Sequence, residues 1–441
     1  MRELLGGVAM FCLAMGLAQM SILFLVGRQE IRRARADPPV PEGGAFIEAV
    51  FALVPALDEE LVIATTARNL LEQDDGLTVV VVDDGSTDRT GEVAAVDPDR
   101  VLVVTRSLPE ARLGKGPALN AGLSAIRAEV EARGLDPAAV LIVVMDADGH
   151  LSEGAVASVK PLFAPEDVGG AQLGVRMRNR SANRLTLIQD FEFWGGAALS
   201  QMGRVRTGTV SLGGNGQFTR LSALDGLGTE PWSASLTEDL DLAVSLAVAG
   251  WTLTSTPDAW VSQQAVTKIR PLLHQRARWF QGHMTIASRR LGEVWSAPHL
   301  SNLAVLELAS YLLTPYLMIL PWSVLSQVAI AYLVTDLING ASSLSGVRST
   351  FGRVVVLSAW YVISFLPTIV VGIIYSRRER RMSLPRAVAF CHLLLLWNYV
   401  SFFACWRALW RMVRGRTTWE KTARTAEVDP VPPPAEQEIA A

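Results

Sequence analysis

Hydrophobic residues gather into blocks at the two ends of this chain and into short, spaced runs between them. Leu4 to Gly27 is 24 positions without a charge, long enough to cross about 30 Å of hydrocarbon as a helix. Arg28, Arg32, Arg33 and Arg35 follow the run instead of preceding it. That order predicts a retained anchor over residues 1–27, not a cleaved signal peptide. The positive-inside rule then places the basic cluster, and the chain after it, on the cytoplasmic side. Residues 28–45 read as a basic and then proline-rich linker, ending in DPPVPEGG.

From 46 to 266 the rhythm changes. FIEAVFALV, LTVVVVD, VLVV and LIVVMD are short apolar runs, separated by the helical patterns EELVIATTARNLLEQ and ALNAGLSAIRAEVEARG. Near-continuous apolar strands alternating with helices predict an α/β domain on a mainly parallel sheet. Ligands of such sheets sit beyond the carboxyl ends of the strands.

The last third is apolar again. Leu303–Val334, Arg353–Tyr375 and Ala387–Leu409 form the blocks of a membrane region over 303–410. Pro315 and Pro321 interrupt the first block, which fits either an interfacial helix plus a span or a tight hairpin. Two legs of about 16 residues fall short of the roughly 20 that a span needs, so three spans are favoured over four. Arginines flank the last block on both sides, so charge counting leaves the side of the C-terminus open. Residues 411–441 read as a basic and then disordered tail.

Composition agrees. Half the residues are hydrophobic and 19% are charged, below the roughly 25% of soluble domains. Mean hydropathy is +0.28. A net charge of −3 gives nucleic-acid binding no support. Cys12, Cys391 and Cys405 all lie in apolar blocks, so the polar middle has no disulfide framework and fits a reducing compartment.

Candidate chemistry concentrates where strands end. VVVVDDGSTD carries Asp83, Asp84 and Asp88; LIVVMDADG carries Asp146 and Asp148; SLTEDLD carries Glu238, Asp239 and Asp241. Asp-x-Asp after a buried strand puts two hard oxygen donors in one turn, suited to Mg²⁺ or Mn²⁺ completed by phosphate oxygens. The same residues also make ordinary turns by satisfying local N–H groups. Carboxylates only accept, so Asp83 and Asp84 suit a nucleobase N–H or ribose hydroxyls. Lys115, between the glycines of GKGPALNAGL, can reach a phosphate. Ser235 and Glu238 have capping-box spacing, which would make part of TED a helix start. Asp239 then faces the cleft, placed to act as a general base toward an acceptor hydroxyl.

Ala259 to Gly292 contains no acidic residue but six Lys and Arg, a pattern for an amphipathic helix at an anionic membrane surface over 267–302. Within it QRARW puts Gln275, Arg278 and Trp279 on one helical face. Arg278 would face a leaving diphosphate and Trp279 a sugar ring, unless both simply sit at the membrane interface.

VPALDEE, VVDDGSTD, GKGPALNAG, MDADG, TED and Q-x-x-R-W occur in this order over about 225 residues. The series resembles the membrane-embedded family 2 glycosyltransferases, the group of cellulose, chitin, hyaluronan and poly-N-acetylglucosamine synthases. The resemblance implies a glycosyltransferase A-type fold and inverting transfer from a UDP-sugar. By motif match, Asp83 and Asp84 would bind uridine, and Asp146 and Asp148 the diphosphate through Mg²⁺ or Mn²⁺. Lys115 and Arg278 would join the donor side. Asp239 would be the base, and Glu238, Gln275 and Trp279 would meet the acceptor. Leu57 and Asp58 stand where the family usually has an aromatic residue or His followed by Asn. The implied product is a β-linked polysaccharide made processively at the cell membrane by a multi-pass protein. The alternatives are single transfer to a glycolipid and a non-catalytic receptor or transporter that binds a nucleotide sugar.

Overall fold

The computed structural model describes residues 2–36, 46–338, 350–379 and 382–416. The proline-rich part of the linker, Arg380, Arg381 and the tail from residue 417 lie outside them.

Among the described residues, ten strands form two sheets: β1 (Ala49–Ala56), β2 (Thr78–Asp83), β3 (Val101–Thr105), β4 (Val140–Val144), β5 (His150–Leu151), β6 (Val168–Gln172), β7 (Gly174–Met177), β8 (Gln217–Arg220), β9 (Thr252–Thr254) and β10 (Trp260–Gln263). The larger sheet has the order β3-β2-β1-β4-β8-β6-β9. β3, β2, β1 and β4 are parallel, with Leu53 opposite both Val80 and Val144. β8 runs antiparallel to its neighbours, β4 and β6. β5, β10 and β7 make the smaller sheet.

The parallel strands are covered on both faces, which is why they read as continuous apolar runs. Phe51, Leu53, Val80, Val82, Ile142 and Val144 pack with Leu119, Leu123 and Ile126 of the Lys115–Arg133 helix and with Leu242 and Leu246 of the Glu238–Val248 helix. The alternate residues Ala52, Val54, Val79, Val81, Leu141 and Val143 face the other way, onto Ile63, Leu70 and Phe163. Each such buried Val, Leu or Phe contributes roughly 1.5–3 kcal/mol. The sheet is therefore a rigid platform. The chain runs outward from β1 through β2 to β3, then returns to β4 on the other side of β1. That reversal opens a crevice beyond the carboxyl ends of β1 and β4.

Two features differ from expectation at the membrane end. The first helix runs Arg2–Ala36, so Arg28, Arg32, Arg33 and Arg35 belong to it and not to a linker. No glycine or proline lies between Arg28 and Ala36 to break the helix, and Glu30 pairs with Arg33 at 3.0 Å one turn on. Pro315 and Pro321 likewise interrupt nothing. The Asn302–Thr314 helix passes through a π-helical turn, Pro315–Ile319, into the Leu320–Ile338 helix. Pro315 opens the π turn, where the wider hydrogen-bond spacing accommodates its missing N–H, so there is no hairpin. Among the described residues, Asn302–Val328 and Leu384–Val413 are long and apolar enough to cross a membrane. The Ile269–Ser296 helix lies against both the domain and these apolar helices.

Candidate active site

A cavity of about 860 Å³ opens at the crevice, and eight of the ten residues singled out from the sequence line it. Asp84 follows β2, Asp146 follows β4, Lys115 starts a helix, and Glu238 and Asp239 start another. Gln275, Arg278 and Trp279 project from the Ile269–Ser296 helix.

Lys115 is the hub. Its ammonium donates to Asp146 Oδ1 at 2.6 Å and to the Gly214 carbonyl at 3.0 Å, with Glu238 Oε1 at 3.8 Å. Burial lowers its pKa, but Asp146 and Glu238 outweigh that and leave it raised. The glycines beside it serve geometry, not flexibility. Gly114 has φ +119°, and a Cβ on Gly116 would lie 2.1 Å from the Ser233 carbonyl. Asn120, one turn on, exchanges hydrogen bonds of 2.8 and 3.1 Å with the backbone of Trp232. GKGPALN thus pulls the 232–237 loop, and the acids after it, over the strand ends.

Asp239 sits in this acidic crowd. Desolvation first, and the Glu238 carboxylate second, push its pKa up to about 7, against the pull of Lys115. Its Oδ1 accepts the Leu240 N–H at 2.7 Å. The capping box does not form: Thr237 precedes the helix without a side-chain cap, and Ser235 Oγ accepts from Thr237 N at 3.3 Å. Glu238 turns toward Lys115 instead. Asp241, two residues on, is structural. It accepts from Ser233 Oγ at 2.5 Å and from Arg290 Nε at 2.8 Å, tying the helix to its neighbour.

The two adjacent aspartates after β2 part company. Asp83 accepts the Ser86 N–H at 2.9 Å, and its Oδ2 is 2.8 Å from where a Cβ on Gly91 would stand. It serves the turn, outside the cavity lining. Asp84 lines the cavity and is ion-paired with Arg106. Burial raises the Asp84 pKa, and the Arg112 N–H and the Arg106 guanidinium only partly offset this. Arg112 lines the same wall and donates to the Gly85 carbonyl at 3.0 Å. Neither arginine was singled out from the sequence. The signal for Arg106 was its place just after β3, next to Asp84 across the parallel pair.

The Asp-x-Asp turn divides similarly. Asp146 faces the cavity. Asp148 is fully buried behind it, with Oδ2 accepting the Gln264 N–H at 3.0 Å and its carbonyl accepting from Arg178 at 2.8 Å. Their carboxylates are the hard donors that Mg²⁺ or Mn²⁺ takes when a diphosphate supplies the remaining oxygens. Among the described residues no group of three or more His, Cys, Asp or Glu stands together as a metal site.

The membrane side of the cavity is built differently. Arg276, missed because its partner Glu192 is distant in sequence, lines the same cavity and makes a bidentate pair with Glu192 at 2.8 and 2.5 Å. Its guanidinium lies 4.8 Å from the Trp279 ring and 5.3 Å from Phe193. Glu192 and Phe193 come from a π-helical stretch, Phe191–Ala197. Beyond them Tyr311, Thr314, Pro315 and Ile319 continue the wall along the candidate span.

Comparison with known proteins places this arrangement. Residues 48–282, more than half of the chain, match the model of the glycosyltransferase-like family 2. A beta-monoglucosyldiacylglycerol synthase of Nostoc sp. is 35% identical over 240 residues, 53% of this chain and 48% of that protein. One of the same name from Synechocystis sp. is 32% identical over 256 residues, 56% of this chain and 50% of that protein. The chain thus spans about half the length of the curated relatives it matches. A mannosyltransferase from Pyrobaculum calidifontis, solved with GDP-Man and Mn²⁺, superposes with a TM-score of 0.51 at 18% identity, covering 89% of this chain and 99% of that one. Both relatives are named as synthases of a glycolipid, not of a polysaccharide. With its mostly parallel sheet and a family match centred on the strand-end acids, the chain belongs to the family 2 glycosyltransferases and has their A-type fold.

Proposed function

We propose that the protein transfers one sugar from a UDP-sugar to the hydroxyl of a membrane lipid, with inversion at the anomeric carbon. One observation carries this reading: a single cavity holds charged groups suited to a nucleotide diphosphate at one end and is walled by a candidate membrane span at the other.

In this mechanism the Asp239 carboxylate takes the proton of the acceptor hydroxyl as that oxygen attacks the anomeric carbon. The bond from that carbon to the diphosphate oxygen breaks, and its electron pair leaves with UDP. Arg278 neutralises charge growing on the leaving group. Lys115 holds Asp146 in place and favours the ionised form of Asp239 against the burial and the Glu238 charge that oppose it. Asp84, tethered by Arg106, accepts from the uracil or ribose. Asp146 and Asp148 would hold Mg²⁺ or Mn²⁺, which supplies positive charge to the diphosphate when bound. Trp279 offers a flat face to the sugar or acceptor. The domain would lie on the cytoplasmic side, with the Ile269–Ser296 helix along the membrane surface.

Purified protein in mixed micelles, given labelled UDP-sugars and dioleoylglycerol, tests the reading. A discrete glycolipid is expected. Gln275, Arg278 and Trp279 at the cavity favour a second reading, repeated addition, and a ladder of polymer products with no glycolipid would replace the first with it.

A further inference from the structure

At the membrane end of the cavity, the hydroxyls of Tyr311 and Ser211 meet each other and are not used by the transfer chemistry. The Tyr311 ring is gripped from two sides. The Arg204 guanidinium lies 3.5 Å from its centroid, and the His283 ring meets its edge at 4.8 Å. Arg204 is itself anchored to Glu307 at 3.0 Å, one turn before Tyr311 on the same helix. Burial brings the His283 pKa down to about 4, so the ring is neutral and its Nε2–H donates to the Tyr311 carbonyl at 2.9 Å. A tyrosine fixed at ring and backbone presents its hydroxyl in one place.

That hydroxyl is loosely engaged. It donates to Ser211 Oγ at 3.3 Å, and Ser211 Oγ donates to the Leu212 carbonyl at 3.3 Å. Both are longer than the roughly 2.5–3.0 Å of good O–H···O bonds, so a ligand oxygen can replace either partner at little cost. Extended chain from Ser211 to Gly214 spans at most about 11 Å. Gly214 accepts from Lys115, and a Cβ there would lie 3.1 Å from Asp239 Oδ2. The hydroxyl pair and the base thus line one cavity, joined by this short segment. The wall beyond it, from Leu212, Phe280, Pro315 and Ile319, is apolar.

The geometry points to an acceptor-selecting subsite: Tyr311 and Ser211 bind an ester or ether oxygen beside the reacting hydroxyl of a glycerolipid, and the apolar wall takes the start of its chains. This rests on the lipid-acceptor reading above and adds which lipids are chosen. Glycerolipids are preferred to long-chain alcohols that lack the second oxygen.

The test compares dioleoylglycerol with oleyl alcohol as acceptors for the full chain in mixed micelles. Wild type should prefer dioleoylglycerol. Tyr311→Phe keeps the ring and should lower kcat/KM for dioleoylglycerol roughly tenfold, the scale of one hydrogen bond to a ligand, leaving oleyl alcohol and the UDP-sugar KM unchanged. Ser211→Ala should act in the same direction, several-fold. An undiminished preference in both variants overturns the subsite, as does a parallel fall with both acceptors, which marks a structural role. Polymer and no glycolipid from wild type overturns the lipid-acceptor reading itself.

Discussion

The two ends of the cavity solve opposite problems. At the strand ends, charge is dense and tightly paired: Lys115 joins Asp146 and Glu238, and Arg106 joins Asp84. At the span, the wall is tyrosine, threonine, proline and isoleucine, and the contacts of the Tyr311 and Ser211 hydroxyls are long. Rigid charges suit a donor whose diphosphate is always the same. A loosely engaged, mostly apolar wall suits an amphiphile. The contrast teaches that donor and acceptor recognition sit on different elements, meeting only at Asp239, so they should separate in kinetics.

The sharpest way to break this contrast is Asp239→Asn. It should lower kcat by about 10²–10⁴, the usual worth of a general base, with UDP binding by calorimetry nearly unchanged. Activity within tenfold of wild type would remove Asp239 as the base. Next comes Asp84 against Asp83. Asp84→Ala should raise the UDP-sugar KM at least tenfold. Asp83→Ala should instead lower stability by about 1–3 kcal/mol in denaturant titration, since it strands the Ser86 N–H, and should leave the donor KM alone. Equal KM effects would show that the aspartates are not divided between turn and cavity.

The raised pKa of Asp239 gives a third, smaller effect. The base is competent only when ionised, so kcat should climb as pH rises through about 7. Stability runs the other way. The folded chain keeps this proton up to about pH 7 while the unfolded chain releases it near 4, so the contribution present below pH 4 is lost as pH rises through that window. Asp239→Asn should therefore melt above wild type at pH 8, with the gap closing toward pH 4. Ser235→Ala should do least, within about 0.5 kcal/mol, because its 3.3 Å contact is not a capping box; a loss near 1 kcal/mol would say that the cap matters after all.

The sheet was readable because parallel strands covered on both faces must be apolar throughout, and VFALV, VVVVD and LIVV are. Asp84 and Asp146 were found because each follows such a strand, and Lys115 and Asp239 because each starts a helix. Arg106 and Glu192 were not, since each acts through a partner distant in sequence: a neighbouring strand for one, Arg276 for the other. Pro315 misled for a different reason. In most helices proline removes a bond that matters, whereas a π turn has already given that bond up.

The stretch from Thr209 to Gly214 has one more consequence. Its first residue is hydrogen-bonded to Glu307 on the candidate span, and its last holds the ammonium of Lys115. These six residues make a strut between the candidate span and the chemistry. On the proposed reading, a change in hydrocarbon thickness that tilts the span also shifts the carbonyl under Lys115, so turnover would vary with acyl-chain length even when the acceptor stays the same.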